Sequence, residues 1–321
     1  MNKKLNSLKE DYKLLVNWWQ SLNTIYGNSF AEVFKEYVIS FVYNSSKIEN
    51  TNIFYDDVRK IFSEDSGILY TGDLRTLFEI RNAKVAMEYF FKAFREKMPF
   101  DKTFIKELQR RLTLNTYDER RWQRGERPGE YKKGDYVTGR NETGAFAEDV
   151  AEEMQELLED LETLPEEPEK ILTAAAFFHA KFENIHPFAD GNGRTGRLAM
   201  NYLLAIHNHP PLIIHQEDRK AYFEAIEAWD IEQNLKPLKT FLLEQLIKTW
   251  EKRIEKLEKM VERNINANPD LPANFVQELL FAKNLPDEPF YSEANLRRLD
   301  KAFKDAAKGK FTKHELLDDD K

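Results

Sequence analysis

Apolar residues recur every three to four positions through most of this chain, and that spacing admits little other than a packing of helices. Tyr12, Leu15, Val16, Trp19 and Leu22 form one stripe, and Phe30, Val33, Phe34, Tyr37, Val38 and Phe41 form a second. Leu77, Ile80, Val85, Met87 and Phe90 belong to a third. The period returns in Met154, Leu157, Leu158 and Leu161, in Ile171 to Phe182, around Tyr222, Phe223, Ile226 and Trp229, and from Phe241 to Ile254. Helix breakers are scarce, with 12 glycines and 12 prolines among 321 residues. Gly125, Pro128, Gly129, Gly134, Gly139 and Gly144 cluster between Thr116 and Ala147, where the period breaks around a short β-prone piece, Asp135 to Thr138. The expected fold is all-α with one small β-hairpin.

The pattern divides the chain into a helical N-terminal region (1–115), a core (116–250) and a short helical C-terminal extension (251–321). Pro165 and Pro168 are expected to end the helix that carries Met154 to Leu161. Its outer face, with Asp149, Glu152, Glu153, Glu156, Glu159 and Asp160, reads as solvated surface. Cysteine is absent, which excludes disulfides and thiolate metal sites. A net charge of −8 argues against general affinity for nucleic acid. No run approaches the roughly 18 apolar residues of a membrane span, and the polar start lacks a secretory leader, so the expected location is the cytoplasm. His207 and His209 lie in a helix-end loop without a nearby carboxylate, which argues against a metal site there.

One twelve-residue segment concentrates chemistry: His186-Pro-Phe-Ala-Asp-Gly-Asn-Gly-Arg-Thr-Gly-Arg197. Gly191-Asn192-Gly193 is a turn placed directly before a helical pattern. Free backbone N–H groups and the positive end of the helix dipole at such a place bind anions. Arg194 and Arg197 are three apart, hence on one face of the first turns, and their guanidinium forks suit phosphate oxygens. Asp190 is a hard carboxylate of the kind Mg²⁺ takes when it also binds substrate phosphates. His186 is the side chain best suited to accept a hydroxyl proton near neutral pH. A base, a metal ligand, an anion nest and two arginines together describe phosphoryl or nucleotidyl transfer.

At every fixed position this segment resembles the signature of the Fic family, His-Pro-Phe-x-(Asp/Glu)-Gly-Asn-Gly-Arg-x-x-Arg. His179, Pro210-Pro211 and Arg219-x-x-Tyr222 resemble its supporting context, and the likeness runs from about Phe30 to Ile247. The resemblance implies an all-α core and protein adenylyltransferase activity, the transfer of AMP from ATP to a Ser, Thr or Tyr hydroxyl. It implies His186 as general base, Phe188 as the anchor of the loop, and Asp190 as the ligand of Mg²⁺, with Mn²⁺ as the other candidate ion. Gly191, Asn192, Gly193, Arg194 and Arg197 would bind the nucleotide phosphates, and Tyr222 would serve either the nucleotide pocket or the core. Gly193 stands where kinase-like relatives carry Lys, which favours AMP transfer.

Ser45-Ser-Lys-Ile-Glu49-Asn50 resembles the family's inhibitory motif, (Ser/Thr)-x-x-x-Glu-(Gly/Asn), in the subclass that carries it on an N-terminal helix. By that likeness Ser45 and Glu49 belong to a brake in which Glu49 holds Arg197 and displaces the γ-phosphate. The region of Tyr131 to Phe146 resembles the flap on which a protein substrate would add as a strand. The implied protein is self-inhibited, labels itself, and has ATP and a protein substrate as partners, with no membrane, no nucleic acid, and self-association open. Two alternatives stand beside it: a de-AMPylating hydrolase using the same site, and a nucleotide-binding module of the toxin–antitoxin kind.

Overall fold

The computed structural model describes residues 2–26, 35–63, 72–135 and 144–267. Every regular element among them is helical, as the periodicity predicts. In chain order they are α1 (Asn2–Tyr26), α2 (Lys35–Glu49), α3 (Tyr55–Ser63), α4 (Leu74–Arg95), α5 (Lys102–Thr113) and α6 (Glu119–Gln123). Then come α7 (Val150–Glu159), α8 (Pro168–Ile185), α9 (Asn192–Ile206), a 3-10 turn (Gln216–Asp218), α10 (Arg219–Glu232) and α11 (Lys236–Ala267). Residues 136–143 of the expected hairpin, the Phe30, Val33 and Phe34 positions of the second stripe, and the chain beyond Ala267 lie outside the described residues. The chain divides into two units, Met1–Lys259 and Met260–Lys321, and only residues 260–267 of the second are described, within a helix.

The first unit is organised around α9. All of its residues except Gly193 and Ile206 are buried, so it has no solvent face and needs cover on every side. α8, α5, α2 and α4 supply that cover. Below the first turn the packing is aromatic: the Tyr202 ring lies 4.0 Å from Phe104 of α5 and 5.5 Å from Phe90 of α4. The Tyr202 hydroxyl donates to the Met98 carbonyl at 2.7 Å, so the ring's polar tip is satisfied. Asn201 accepts from Leu212 N and donates to the Leu212 and Arg197 carbonyls, which pins the buried extended run Leu212-Ile213-Ile214 beside the helix.

Side-chain caps set the helix starts. Asp73, Asp101 and Asp118 each accept from the backbone N–H three residues on and so begin α4, α5 and α6. Pro168 does not end the acidic helix, which stops at Glu159; it occupies the first turn of α8, where its missing N–H costs nothing. Val85 and Phe223, members of the expected stripes, are instead exposed on the outer faces of α4 and α10. Far from the Gly turn, Trp18 and Trp19 of α1 pack on Trp250 of α11, and Tyr37 of α2 stacks on the same indole. His209 is fully enclosed and hydrogen-bonded to Tyr12 of α1 at 3.0 Å, and burial pushes its imidazole down to about 4. It is a core histidine that fastens the N-terminal helix.

Phe178 of α8 is fully buried with its ring 5.0 Å from Phe100 and 5.4 Å from Phe182. Truncation there leaves a cavity beside α9, so Phe178→Ala is expected to cost about 3–5 kcal/mol of unfolding free energy, read from the shift in a urea midpoint at unchanged slope.

Candidate active site

The loop between α8 and α9 brings the signature residues together by a sharp reversal. α8 ends as His186 enters the left-handed region at φ 50° and ψ 62°, a conformation that costs a residue with a Cβ roughly 1–2 kcal/mol. Gly191, at φ 81°, makes the second left-handed turn and starts α9; a Cβ there would meet Thr113 of α5 at 2.5 Å. Between the two, Phe188 plunges into the core against Tyr131 and Phe182. Asn192 staples the loop shut, accepting from Phe188 N at 2.9 Å and donating to Phe188 O at 2.7 Å. The Asn192 side chain is thus committed to loop shape. Its backbone N–H and those of Gly193 and Arg194 precede the first turn-closing bond, Thr195 N to Gly191 O, an arrangement that can take an anion.

The imidazole of His186 is half-buried at the mouth of this turn, near the Glu183 carbonyl at the end of α8. Burial first, then the Lys132 ammonium, bring the group down to about 4, so the imidazole is uncharged at neutral pH.

Asp190 is ringed by cations. Its carboxylate lies 3.1 Å from Arg75 of α4, 3.3 Å from Arg194 and 3.8 Å from Arg121 of α6. Gln109, buried on α5, holds the Asp190 carbonyl at 2.8 Å. Arg194 also faces Glu79 of α4 at 3.9 Å, and its Nε and one terminal nitrogen are buried without a hydrogen-bond partner. Arg75, Arg121, Glu79 and Gln109 escape the sequence reading. Only Glu79 and Gln109, polar residues on the buried faces of their helices, carry a local signal that could have found them. Among the described residues no three His, Asp or Glu side chains come together as a metal cage. A lone hard oxygen donor such as Asp190 fits Mg²⁺ where phosphate oxygens complete the shell.

Arg197 is buried in the middle of the unit, 1% exposed. It donates to Ser45 Oγ at 3.0 Å, to the Ser45 carbonyl at 2.8 Å and to Glu49 at 2.8 Å, all on α2. Behind it, one terminal nitrogen reaches the Tyr222 hydroxyl at 3.4 Å, and that hydroxyl lies 2.7 Å from His179 Nε2. Tyr222 is itself buried, its ring stacked on His179, so the structure places it beneath the arginine. Burial pushes the Glu183 carboxyl up to about 8 and, with the Arg197 charge, brings His179 down to about 3; both are predominantly uncharged at neutral pH. The Glu49 carboxylate occupies the space in front of Gly193, where a Cβ would approach it to 2.3 Å. Asn50 continues the contact of α2 with α4, donating to Glu79 at 2.7 Å and to Thr76 at 3.0 Å, and Arg219 closes on the Ile48 carbonyl at 2.9 Å.

Comparisons with known proteins point to one family. The Fic/DOC family model matches residues 99–204, the stretch that holds α5 to most of α9. Among curated proteins, the protein adenylyltransferase Fic of Aedes aegypti is 43% identical over 68 residues, 21% of this chain and 13% of that protein. The protein adenylyltransferase Fic of Drosophila ananassae is 33% identical over 172 residues, 53% of this chain and 33% of that protein. The chain therefore matches at most about a third of the length of these two relatives. Among solved structures, a Fic domain containing signaling protein from Bacteroides thetaiotaomicron aligns with TM-score 0.62 at 26% identity, over 76% of this chain and 96% of that one. Fic-1 (aa134 - 508) from C. elegans shares the fold with TM-score 0.62 at 22% identity, over 80% of this chain and 75% of that one.

Burial alone would raise the Glu49 carboxyl, but the Arg197 charge and hydrogen bond outweigh it and hold the group below its ordinary 4.5. A depressed carboxyl contributes stability above its ordinary value and loses it as the pH falls through the folded one. The Glu49 side chain keeps 38% exposure, so solvent screens the pair. Glu49→Gln is expected to lower the unfolding free energy at pH 7 by about 1–2 kcal/mol, the gap to wild type closing as the pH falls below about 4.5. Denaturant titrations of both proteins from pH 7 to pH 3 measure it.

Proposed function

We propose that this Fic-domain chain is a protein adenylyltransferase that transfers AMP from ATP to a Ser, Thr or Tyr hydroxyl and that restrains itself through Glu49. What carries the reading is the loop itself. An uncharged imidazole, the free N–H groups of a helix start and two inward arginines converge within twelve residues, on a domain whose curated relatives are named adenylyltransferases.

In this mechanism the triphosphate lies across the start of α9. The N–H groups of Asn192, Gly193 and Arg194 take phosphate oxygens, Arg194 supplies charge at the Asp190 end, and Arg197 receives the γ-phosphate once Glu49 withdraws. The free ring nitrogen of His186 accepts the proton of the target hydroxyl as its oxygen attacks the α-phosphorus. The bond from that phosphorus to the α–β bridging oxygen breaks, and pyrophosphate leaves. Asp190 would hold Mg²⁺, or Mn²⁺, which when bound neutralises charge on the α- and β-phosphates. For Asp190 to do so, Arg75 and Arg121 must yield part of their hold on it or turn to the phosphates themselves. Positioning and charge neutralisation supply most of the acceleration, with one proton transfer. The protein substrate docks at the flap segment between Tyr131 and Phe146, beside the base.

The brake follows from competition for one guanidinium. While Glu49 holds Arg197, the γ-phosphate lacks its partner and the carboxylate repels it, so the α-phosphorus is not aligned for attack. Each 1.4 kcal/mol between the productive and unproductive poses shifts the competent fraction about tenfold.

With labelled ATP and cell lysate, Glu49→Gly is expected to incorporate about tenfold more label than wild type or better, into itself as well as its target. Arg197→Ala in the Glu49→Gly background is expected to cancel the gain, because both changes act through one contact. Equal labelling by wild type and Glu49→Gly at matched folding would remove the brake and leave the transfer chemistry standing.

His186→Ala is expected to lower turnover by about 10²–10⁴ while ATP affinity, measured calorimetrically, stays near that of its parent. Asp190→Ala is expected to remove both activity and its response to added Mg²⁺. Unchanged turnover in the His186 variant would sink the assignment of the base.

A further inference from the structure

Lysine is seldom buried, yet Lys132 is only 2% exposed, and it sits one layer from His186. Its segment and Gly144-Ala145 run along the two sides of the turn that carries the base. The Lys132 backbone N–H donates to the Pro187 carbonyl at 2.9 Å, and Ala145 N–H donates to the Ile185 carbonyl at 3.0 Å. The Lys132 ammonium reaches the same Ile185 carbonyl at 3.4 Å. The residues before and after the base are therefore both tied down, on either side of a φ of 50° that His186 would not adopt unaided. Gly144 closes the arrangement: a Cβ on it would meet the Ile185 carbonyl at 2.9 Å, His186 Cβ at 3.0 Å and Lys132 Nζ at 3.2 Å. Nothing but hydrogen fits between these groups, so backbone, imidazole and ammonium form one packed knot.

We propose that Lys132 is a positioning residue for His186, its backbone and ammonium clamping the left-handed turn while its positive charge opposes protonation of the imidazole. The proposal rests on His186 being the base of the transfer reaction.

Four elements face the imidazole. Lys132 stands on the segment after α6, Glu49 at the end of α2, Asp190 in the loop and the Glu183 carbonyl in the last turn of α8. Glu49, Asp190 and the carbonyl all favour the imidazolium; Lys132 is the charged side chain that opposes it, alongside burial. ATP would bring several more negative charges to the same place and so favour the imidazolium further. A base that arrives protonated cannot accept the hydroxyl proton. A fixed cation locked under the turn keeps the ring free to act while the anionic substrate is bound. The ammonium's own desolvation, which brings Lys132 below its ordinary 10.5, is the cost of that placement.

The test uses three variants of the full chain: Lys132→Met removes charge and side-chain donor, Lys132→Gln keeps a donor for the Ile185 carbonyl without charge, and Lys132→Arg keeps both. Histidine ring resonances are followed by NMR against pH, with His186→Ala identifying the His186 signal among the six histidines. In Lys132→Met and Lys132→Gln the His186 midpoint is expected to rise by about half a pH unit or more, and in Lys132→Arg to stay at the wild-type position. In the Glu49→Gly background the acid limb of the AMP-transfer rate is expected to move up with it. Turnover at neutral pH should fall about tenfold in Lys132→Met, with ATP affinity held, and recover in Lys132→Arg. If Lys132→Met does not fold, the Lys132→Gln titration decides. A His186 midpoint unmoved in a folded, uncharged variant, or a rate loss without movement of the acid limb, would overturn the proposal. Absence of AMP transfer in every protein, wild type included, would instead strike the reading of the activity, and the titration of His186 would still decide the role of Lys132.

Discussion

A guanidinium cannot be buried without partners, and much of the first unit's architecture meets that demand for Arg197. Its charge sits on the innermost helix, where water cannot solvate it, so every N–H must be answered by protein or ligand. α2 answers with a hydroxyl, a carbonyl and a carboxylate, and α10 answers with the Tyr222 hydroxyl, which leans in turn on His179 of α8. Three helices far apart in sequence are thereby brought to one atom group. Under the proposed function the same demand would make the site responsive, because a phosphate would answer the arginine in place of Glu49. Competition of this kind needs a partner that is held firmly but not sealed in, and Glu49, on the last turn of α2 with part of its carboxylate in solvent, meets that description.

The neighbouring demand comes from His186. As the proposed base it has to be uncharged yet close to carboxylates and phosphates that would charge it. Burial and the Lys132 charge both hold the imidazole uncharged. Glu183 and His179, buried nearby, avoid the same conflict by being predominantly uncharged. Around Asp190 the balance is reversed, with Arg75, Arg121 and Arg194 arranged about one carboxylate. The loop thus presents a neutral imidazole at one end and an excess of positive charge at the other, the polarity that the proposed triphosphate would require.

How much of this was legible follows from how local each feature is. The helices were, because burial of one face writes itself into the sequence every three or four residues. The gathering of the Gly turn, the arginine pair and His186 at one place was, because they occupy one contiguous loop. Ser45 and Glu49 could be read only through a likeness, since nothing in their own helix says that Arg197 lies opposite. Arg75 and Arg121 were not legible at all: each meets Asp190 across a large sequence separation, and an exposed arginine on a helix looks the same whether or not a loop comes to meet it. Pro168 was misread because proline marks a helix boundary without saying on which side the helix lies, and Tyr222 shows that an aromatic near a binding site can face the arginine beneath it rather than open solvent.

Gly193 has a consequence for how such a chain can vary. The hydrogen in place of its side chain is the volume that the Glu49 oxygen fills, and it also borders an Arg197 nitrogen, 2.9 Å from where a Cβ would stand. Positions 193 and 49 lie 144 residues apart, yet they are alternatives for one small space. A change at 49 would remove one contact of Arg197, while any added carbon at 193 would press on Glu49 and Arg197 at once. A side chain at 193 would therefore have to be accommodated by new partners for the arginine, so two positions that look separate in the sequence are bound to one volume.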